Sequence, residues 1–246
     1  TNMWDNASAI SNEGIEFEAQ YDVIRKKNWN WSVGFNLSHN KNMLRKTYNG
    51  EDLNDKVLGR PVYGIYTFKD EGIVQKEEDI PMYLNASGKQ IPLYFQSINN
   101  PLRVGGRKIK DQNYDGVIDD KDLYYAGSTL PAVYGGLNSH LEWKGLSFDV
   151  LFSYTISRKV MNMYKNSAFT FTKDFGVIMN YFHAGDFWTA SNRDAKYPSL
   201  EFADKDYVGQ FDGNVDSNIE NISFLRLKQL VIGYQIPKNW LKGSFI

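Results

Sequence analysis

The chain has 246 residues and a formal net charge of −1, which gives no electrostatic reason to expect nucleic acid as a partner. It contains no cysteine, and this excludes disulfides, thiolate metal sites and cysteine nucleophiles together. Aromatic residues make up 15% of the chain, yet no run approaches the roughly 20 apolar residues of a membrane-spanning helix, so the aromatics indicate exposed sheet, a sugar-binding surface or the girdle of a β-barrel.

An alternation of apolar and polar residues predicts a β-hairpin near the start of the chain. Over residues 14–23 the odd positions are apolar and the even positions are polar. The same alternation returns over residues 29–40, after a short basic turn. Each run predicts a strand with one apolar face and one polar face, and the turn joins the two strands.

Three more strands are predicted later in the chain. Residues 133–143 and 146–155 alternate in the same way and are joined by a tight turn at Lys144 and Gly145. Residues 223–237 form the last run, but its apolar positions change parity halfway. This change predicts a β-bulge near Lys228.

The connections between these strands alternate between short turns and the long segments 40–131 and 157–221. Runs of about ten residues match a tilted transmembrane strand of roughly 9–11 residues, and short turns with long outer loops are typical of outer-membrane barrels. Trp29, Trp31 and Trp143 lie beside the short turns, where an aromatic girdle is expected. An antiparallel β-sandwich with buried tryptophans remains the alternative.

The two ends of the chain predict that it is a piece of a longer protein. Thr1 is not an initiator methionine, and no signal sequence follows it. The last residues, LKGSFI, look like the start of another strand. Five strands are also too few for a membrane barrel, because the smallest closures use roughly eight.

Five segments carry a family resemblance when they are taken in order. They are NEGIEFEAQYDVIRKKNWNWSVGFNLSHNKN, GRPVYGIYTFKDEGIVQ, DQNYDGVIDDKDLYYAGSTLPAVYGGLNSHLEWKGLSFDVLFSY, FWTASNRDAKYPSL and FLRLKQLVIGYQIPKNWL. Together they resemble the C-terminal part of the barrel of a SusC/RagA-type TonB-linked (TonB-dependent) outer-membrane transporter. The resemblance spans nearly the whole chain.

This resemblance implies an all-β fold, an antiparallel transmembrane β-barrel fragment that supplies several C-terminal strands of a roughly 22-stranded barrel. Residues 1–246 would be a partial barrel domain, without the plug domain and signal peptide, and segments 41–131 and 158–221 would be long extracellular loops. The protein would lie in the outer membrane of a Gram-negative, Bacteroidota-type bacterium.

The resemblance also implies a function in nutrient uptake. Family members import oligosaccharides or peptides with energy from the TonB complex, which acts through the absent N-terminal part. A SusD-like surface lipoprotein serves as the lid, and outer-membrane lipid surrounds the barrel. The alternative function is a secreted or surface β-sandwich module that binds carbohydrate and holds a structural calcium ion.

The polar faces of the predicted strands would line the lumen of such a barrel. Their side chains can bind the plug, water or solute, and the sequence does not separate these roles. The residues are Glu16, Glu18, Gln20, Asp22, Asn30, Ser32, Asn36, Asn138, His140 and Glu142.

A candidate calcium loop, DQNYDGVIDDKD, spans residues 111–122. Its oxygen-bearing positions follow the spacing of a calcium loop, with Gly116 at the sharp turn, and hard oxygen ligands suit calcium rather than zinc. The candidate ligands are Asp111, Asn113, Asp115, the Val117 carbonyl, Asp119 and Asp122. Position twelve is aspartate rather than the usual bidentate glutamate, and no amphipathic helix flanks the loop, so a metal-free loop rich in Asx turns is the alternative.

The second long connection contains weak candidates for solute contact. Residues 161–188 predict a short helix, because Phe175, Ile178, Met179 and Phe182 fall at helical spacing. Aromatic side chains here could stack on sugar rings or could simply hold the loop together. They are Tyr164, Phe169, Phe171, Tyr181 and Trp188.

Catalytic chemistry has little support in the sequence. The three histidines, His39, His140 and His183, are far apart and show neither metal-ligand spacing nor a nucleophile partner. Acid pairs occur in turn-like contexts or in the candidate metal loop. We therefore expect a protein that is not an enzyme and that has no catalytic residues.

Overall fold

The computed structural model describes residues 8–52, 56–175, 180–203, 209–211, 213–237 and 240. The chain divides into two compact units. The first comprises Thr1–Gly64, Ser128–Lys159 and Asn221–Ile246, and the second comprises Ile65–Gly127 and Val160–Glu220.

Strands dominate the described residues. In chain order they are β1 (Ser8–Lys26), β2 (Trp29–Thr47), β3 (Gly64–Thr67), β4 (Asp70–Ile73), β5 (Met82–Leu84), β6 (Gln90–Pro92), β7 (Tyr94–Phe95), β8 (Arg107–Ile109), β9 (Val117–Ile118), β10 (Tyr124–Ser128), β11 (Val133–Trp143), β12 (Leu146–Ile156), β13 (Lys159–Met161), β14 (Ile219–Asn221) and β15 (Phe224–Tyr234). The α-helix α1 spans Met163–Phe175, and short 3-10 helices lie at Glu77–Asp79, Asp120–Asp122, Ala184–Asp186, Leu200–Ala203 and Asp216–Asn218. None of the helices in the described ranges is long and apolar enough to cross a membrane.

The first unit is built on one five-stranded sheet in the order β1-β2-β11-β12-β15. All neighbouring strands are antiparallel. The five strands predicted from alternation are therefore confirmed, and they are the five members of this sheet. An all-β, antiparallel fold is confirmed with them.

The first two strands are longer than their sequence pattern indicates. β1 begins at Ser8 and β2 ends at Thr47, so β2 continues seven residues beyond Asn40, where the first long connection was expected to start. The extension persists because the two strands pair with each other and because Leu44 is buried. The backbone of Leu44 also bonds to the following segment, donating to the Arg60 carbonyl at 3.0 Å and accepting from the Gly59 amide at 2.8 Å.

The register places most of the apolar residues of the five strands on one face. Residues that pair directly point to the same side of a sheet, and Ala19, Phe35, Leu137, Phe152 and Leu227 form one such row. From Ile15 to the short turns, the described residues of this face include no aspartate or glutamate; Glu13 lies on the same face, nearer the start of β1. The rows between carry most of the polar side chains, together with Leu151 and Val231.

Both faces of the sheet are exposed. On the apolar face, Phe17 is 56% exposed and Ile232 is 62% exposed. A β-sandwich would bury these side chains against a second sheet. The described residues provide no such cover, so the sandwich alternative is not supported and a barrel fragment fits.

The bulge predicted near Lys228 is confirmed. Leu151 pairs with Gln229 and Phe152 pairs with Leu227, so Lys228 is the extra residue. The bulge restores the phase of the strand, because it lets Leu225 and Leu227 share the apolar face with Leu230 and its successors.

The second unit folds around two hydrophobic clusters and contains several two-stranded sheets. One cluster is mostly aliphatic, and its buried members are Val74, Ile80, Leu93, Phe95, Leu102, Ile109, Ile118 and Val215. The other is mostly aromatic, with Ala168, Phe169, Phe182, Phe187, Phe202 and Phe211 buried. A short helix, α1, does lie in the predicted segment, but it ends at Phe175, before the residues whose spacing predicted it. Phe182 is not helical, and Ile178 and Met179 lie outside the described residues.

Gly135 on β11 provides a test of how closely the sheet is packed. The Tyr154 hydroxyl passes over this glycine to donate to the Asn36 carbonyl at 2.8 Å, and a Cβ at position 135 would overlap both groups. We expect Gly135→Ala to lower the free energy of unfolding by roughly 1–3 kcal/mol, because overpacking must be relieved by moving backbone.

The matched control is Gly136→Ala, the next residue on the same strand. Its Cβ would come no closer than 3.3 Å to any neighbour. Urea unfolding followed by tryptophan fluorescence should give a clearly smaller loss for this variant. Equal losses for the two variants would contradict the proposed overlap at Gly135.

Candidate functional site

The polar face of the five-stranded sheet brings together side chains that are distant in sequence. Asp22, Ser32, His140 and Asp149 pair in one row across four strands. The His140 Nδ1 lies 2.5 Å from Asp149 Oδ1, and its Nε2 lies 3.5 Å from the Glu142 carboxylate. The result is an acidic, hydrogen-bonding surface around a single imidazole.

Asp149 is the member of this row that was not predicted from the sequence. The signal was present, since Asp149 alternates with the apolar residues Phe148 and Val150 and must point the other way. A hollow of about 300 Å³ opens here, and it is lined in part by Gln20, Ser32 and Asp149. Water or a polar group of another molecule can occupy such a surface.

Two asparagines predicted to face the lumen have structural contacts instead. Asn36 Oδ1 accepts from the Gly136 amide at 2.8 Å. The Asn138 side chain lies over Gly34, where a Cβ would overlap its amide group. Both side chains therefore support the packing between β2 and β11, which reduces their freedom to contact a solute.

The aromatic candidates for solute contact fall into two groups. Phe169 is only 2% exposed, and its ring packs edge-to-face against Phe182 at 5.1 Å between ring centres, so it is a core residue with no free face. Tyr164, in contrast, is 53% exposed on α1 and packs edge-to-face with Tyr181. The Phe171 side chain lies outside what the structure describes.

Trp188 is half-buried and held in place. Its indole Nε1 donates to Gln75 Oε1 at 3.0 Å. The ring also covers Gly105, where a Cβ would collide with the six-membered ring. Tyr164, Tyr181 and Trp188 are therefore the aromatic candidates that keep some exposed surface.

The candidate calcium loop is closed by hydrogen bonds from its own backbone amides. Asp111 accepts from the amides of Tyr114 at 2.6 Å and of Gly116 at 2.8 Å, one on each carboxylate oxygen. Asp122, which is fully buried, accepts in the same way from Gln112 at 2.8 Å and Asp119 at 2.9 Å. Burial raises the pKa of Asp122 although these amide bonds oppose the shift.

The remaining loop side chains make shorter-range Asx turns. Asn113 accepts from the Asp115 amide, Asp115 accepts from the Val117 amide, and Asp119 accepts from the Lys121 amide. Gly116 has φ +85°, and a side chain there would press against the Tyr83 ring. The spacing of aspartate, asparagine and glycine in the sequence motif therefore accounts for the series of turns in this loop.

These contacts bear on whether calcium fits the loop. Among the described residues, no group of three or more aspartate, glutamate, histidine or cysteine side chains is arranged to hold a metal ion. A carboxylate oxygen can accept from an amide and still bind a cation, because it has two lone pairs. The hydrogen bonds directly support the metal-free Asx-turn alternative, and calcium binding stays a prediction.

A network of charged groups in the second unit has no counterpart in the sequence analysis. Asp216 accepts from the Lys69 Nζ at 2.6 Å, from the Tyr124 hydroxyl at 2.7 Å and from the Asp70 amide at 2.9 Å. Asp70 in turn forms a buried ion pair with Arg107. Sequence gives no signal for it, since Lys69 and Asp216 are 147 positions apart.

The network shifts the pKa values of its members. Burial alone would raise the pKa of Asp216, but the bonds from Lys69 and Tyr124 outweigh burial and hold it below its ordinary value. Burial and the bond to Asp216 raise the pKa of Tyr124 to about 12. The ionised form of Asp216 is therefore the one that the second unit stabilises.

Asp216→Asn should weaken the second unit by roughly 1.5–3 kcal/mol, the range for hydrogen bonds to a charged group. Because the folded pKa is lowered, the stabilisation is complete above the ordinary aspartate pKa of 3.8 and is lost as the pH falls through the folded value. The variant should lack this acid-dependent component.

The measurement is the unfolding free energy at neutral pH and at several pH values below 4. Asp194→Asn is the control, since Asp194 is exposed. An acid dependence of the Asp216 variant that equals that of the unaltered protein would show that Asp216 does not hold its charge through this network.

Comparisons with known proteins match almost the whole length of the chain. No protein-family model matches the chain. The chain is 28% identical over 237 residues to TonB-dependent receptor P26 of Formosa agariphila, which covers 94% of this chain and 23% of that protein. It is 26% identical over 246 residues to TonB-dependent receptor SusC of Bacteroides thetaiotaomicron, covering 99% of this chain and 22% of that protein.

Solved structures agree in fold. The RagAB peptide transporter matches with a TM-score of 0.61 and 22% identity, over 97% of this chain and 24% of that chain. The RagAB peptide importer in the "closed-closed" state matches with a TM-score of 0.65 over 98% of this chain. The chain spans about a quarter of the length of the curated relatives it matches.

The resemblance recognised in the sequence is thus confirmed by relatives that align along almost the entire chain and by the fold of the sheet. Over almost its whole length the chain is similar to the SusC-type TonB-dependent receptors, and its antiparallel sheet has the fold of part of the barrel in the RagAB structures.

Proposed function

We propose that the chain forms part of the wall of an outer-membrane transporter that imports oligosaccharides or peptides with energy from TonB. The observation that carries this proposal is the exposed apolar face that continues across all five strands. In water such a face would drive aggregation, whereas in a bilayer it contacts acyl chains. The opposite polar face then lines the lumen.

The orientation follows from the lengths of the connections. The two-residue turns after β1 and β11 face the periplasm, and the long segments that follow β2 and β12 face the outside. A plug elsewhere in the whole protein would fill the lumen and contact the row of Asp22, Ser32, His140 and Asp149.

The partners proposed for the whole protein are the TonB complex and a SusD-like surface lipoprotein acting as a lid. The resemblance to SusC and to the RagAB transporter supports both partners. Of the two solute classes, the peptide class is supported by the description of the solved relative as a peptide transporter. Tyr164, Tyr181 and Trp188 are the loop side chains we propose for contact with the solute or the lid.

Two adjacent residues of β1, Phe17 and Glu18, point to opposite faces and provide the test of this orientation. Single cysteines can be introduced at them because the chain has no cysteine of its own. We expect Glu18→Cys to react with a membrane-impermeant maleimide when the lumen is accessible. Phe17→Cys should resist that reagent and react with a lipid-soluble one. The two sites differ by one position, so they are matched in depth and opposite in face.

Labelling is measured in outer-membrane vesicles that carry the whole transporter. Resistance of the Phe17 variant to both reagents would indicate a packed protein core and would return the sandwich to consideration. Equal reaction of both variants with the impermeant reagent would show that neither face meets lipid.

Calcium at residues 111–122 is proposed as a brace for the base of the external loop, and it needs a separate test. If calcium binds, its addition after chelation should slow amide hydrogen exchange in this loop, and Asp119→Ala should remove the effect. Asp79→Ala serves as the control, since Asp79 lies in another acidic turn of the same unit. Exchange that is identical with calcium and with chelator would assign the loop to its Asx turns alone.

A further inference from the structure

We propose that the short-turn end of the sheet binds the headgroup phosphate of an anionic phospholipid, on the apolar side, between Lys26 and Lys144. The inference rests on the proposed function, because it requires the apolar face to contact a bilayer. It adds a lipid site to a surface that is otherwise defined only by its hydrophobicity.

The register places the site at the edge of the apolar face. Lys26, Trp29, Trp143, Leu146 and Tyr234 pair across the five strands and form the last row before the turns. Adjacent strands are about 4.8 Å apart, so Lys26 and Trp143 are separated by about 10 Å at the backbone. Two lysine side chains can therefore reach one phosphate from opposite sides of Trp29.

A bulge in β1 is what brings Lys26 to this face. The alternation of residues 14–22 puts even positions on the polar face, and Lys26 would follow them. The register shifts between Asp22 and Ile24, so Ile24 and Lys26 turn to the apolar face while Arg25 turns to the polar one. The consequence is a cation at the border of an apolar surface.

Lys144 is directed to the same face by its contacts. Its Nζ lies 5.4 Å from the centre of the Trp143 ring, which belongs to the apolar row. The turn itself is fixed, since Lys144 and Gly145 both have positive φ, 49° and 88°, as in a type I′ hairpin. The Lys144 amide also donates to the Asn28 carbonyl at 3.0 Å, which ties this turn to the neighbouring one.

The charge at this edge is complementary to phosphate. The carboxylates near this edge lie on the opposite face, where Asp22 pairs with Arg25 at 3.0 Å and Glu142 lies near His140. On the apolar face of the described strands the one carboxylate is that of Glu13, which lies toward the other end of β1 and contacts Arg45 at 3.2 Å. Acyl chains would cover the apolar rows, and the aromatic belt of Trp29, Trp143 and Tyr234 would lie at headgroup depth.

The test uses the whole transporter in bilayers of phosphatidylethanolamine with a minor fraction of phosphatidylglycerol. Native mass spectrometry gives the ratio of the two lipids that stay bound. We expect phosphatidylglycerol to be enriched over its bilayer fraction, by roughly fivefold for each lysine that contributes. High salt should reduce the enrichment.

The variant is the double substitution Lys26→Gln and Lys144→Gln, which should return the bound lipids to the bilayer ratio. Arg25→Gln is the matched control, because it removes a cation at the same end but on the polar face. The control should keep the enrichment of the unaltered protein.

Three outcomes would overturn the proposal: no enrichment in the unaltered protein, enrichment that survives in the double variant, or equal loss in the Arg25 control. If a second copy of the protein bound this edge in place of a lipid, the unaltered protein would form a dimer and show no enrichment of phosphatidylglycerol. The double variant would then be monomeric. Failure of the transporter assignment is distinguishable, because it would also abolish the opposite labelling of Phe17→Cys and Glu18→Cys.

Discussion

Strand register is the constraint on which the rest of this structure depends. Each strand presents alternate residues to opposite faces, so a slip of one position in any strand would exchange its apolar and polar sides. Five strands are paired here with three shifts of register, between Ala9 and Ile10, before Ile24 and at Lys228, and the last of these restores the phase that the sequence loses. The continuous apolar face therefore depends on how the strands pair as well as on which of their residues are apolar.

Two polar side chains on the apolar face, Trp31 and Tyr154, have their donors satisfied within the sheet. The Trp31 Nε1 donates to the Ser139 Oγ on the neighbouring strand at 3.0 Å, and the Tyr154 hydroxyl donates to a backbone carbonyl across Gly135. In hydrocarbon an unsatisfied donor costs several kcal/mol, so these bonds let serine, tryptophan and tyrosine occupy a surface without water. The small residues Gly135 and Ser139 are thus explained by the large side chains beside them.

The strands could be predicted because alternation is a local property, visible in any run of ten residues. Even the bulge at Lys228 left a local signal, a change of parity. The extension of β2 could not be read in this way, since residues 41–47 are mostly polar. Their strand conformation depends on cross-strand contacts such as Arg45 with Ser11 and Glu13.

In the loops, contacts between residues far apart in the sequence could not be predicted. The sequence identified Phe169 as an aromatic residue in an external segment, but only the ring cluster reveals that it is buried. The Asp216 network joins residues from two separate connections, and nothing near either residue announces the other. The loop at 111–122 could be predicted in part. Its motif indicated which side chains present oxygen atoms, but only the fold shows which backbone amides those oxygens accept hydrogen bonds from.

The unequal lengths of the strands have a mechanical consequence. β2 pairs with β11 as far as Ser38 and then continues for nine residues with β1 alone, which is a two-stranded arm of roughly 30 Å. Residues 56–60 pack against this arm through Leu44, so the first long connection starts from a stiff support at a set height. Shortening the arm by two residues would lower that starting point by about 7 Å and keep every side chain on its face, whereas removing one residue would turn the arm over. Unless a bulge compensates, as one does between Ala9 and Ile10, the height of this loop therefore changes in steps of two residues.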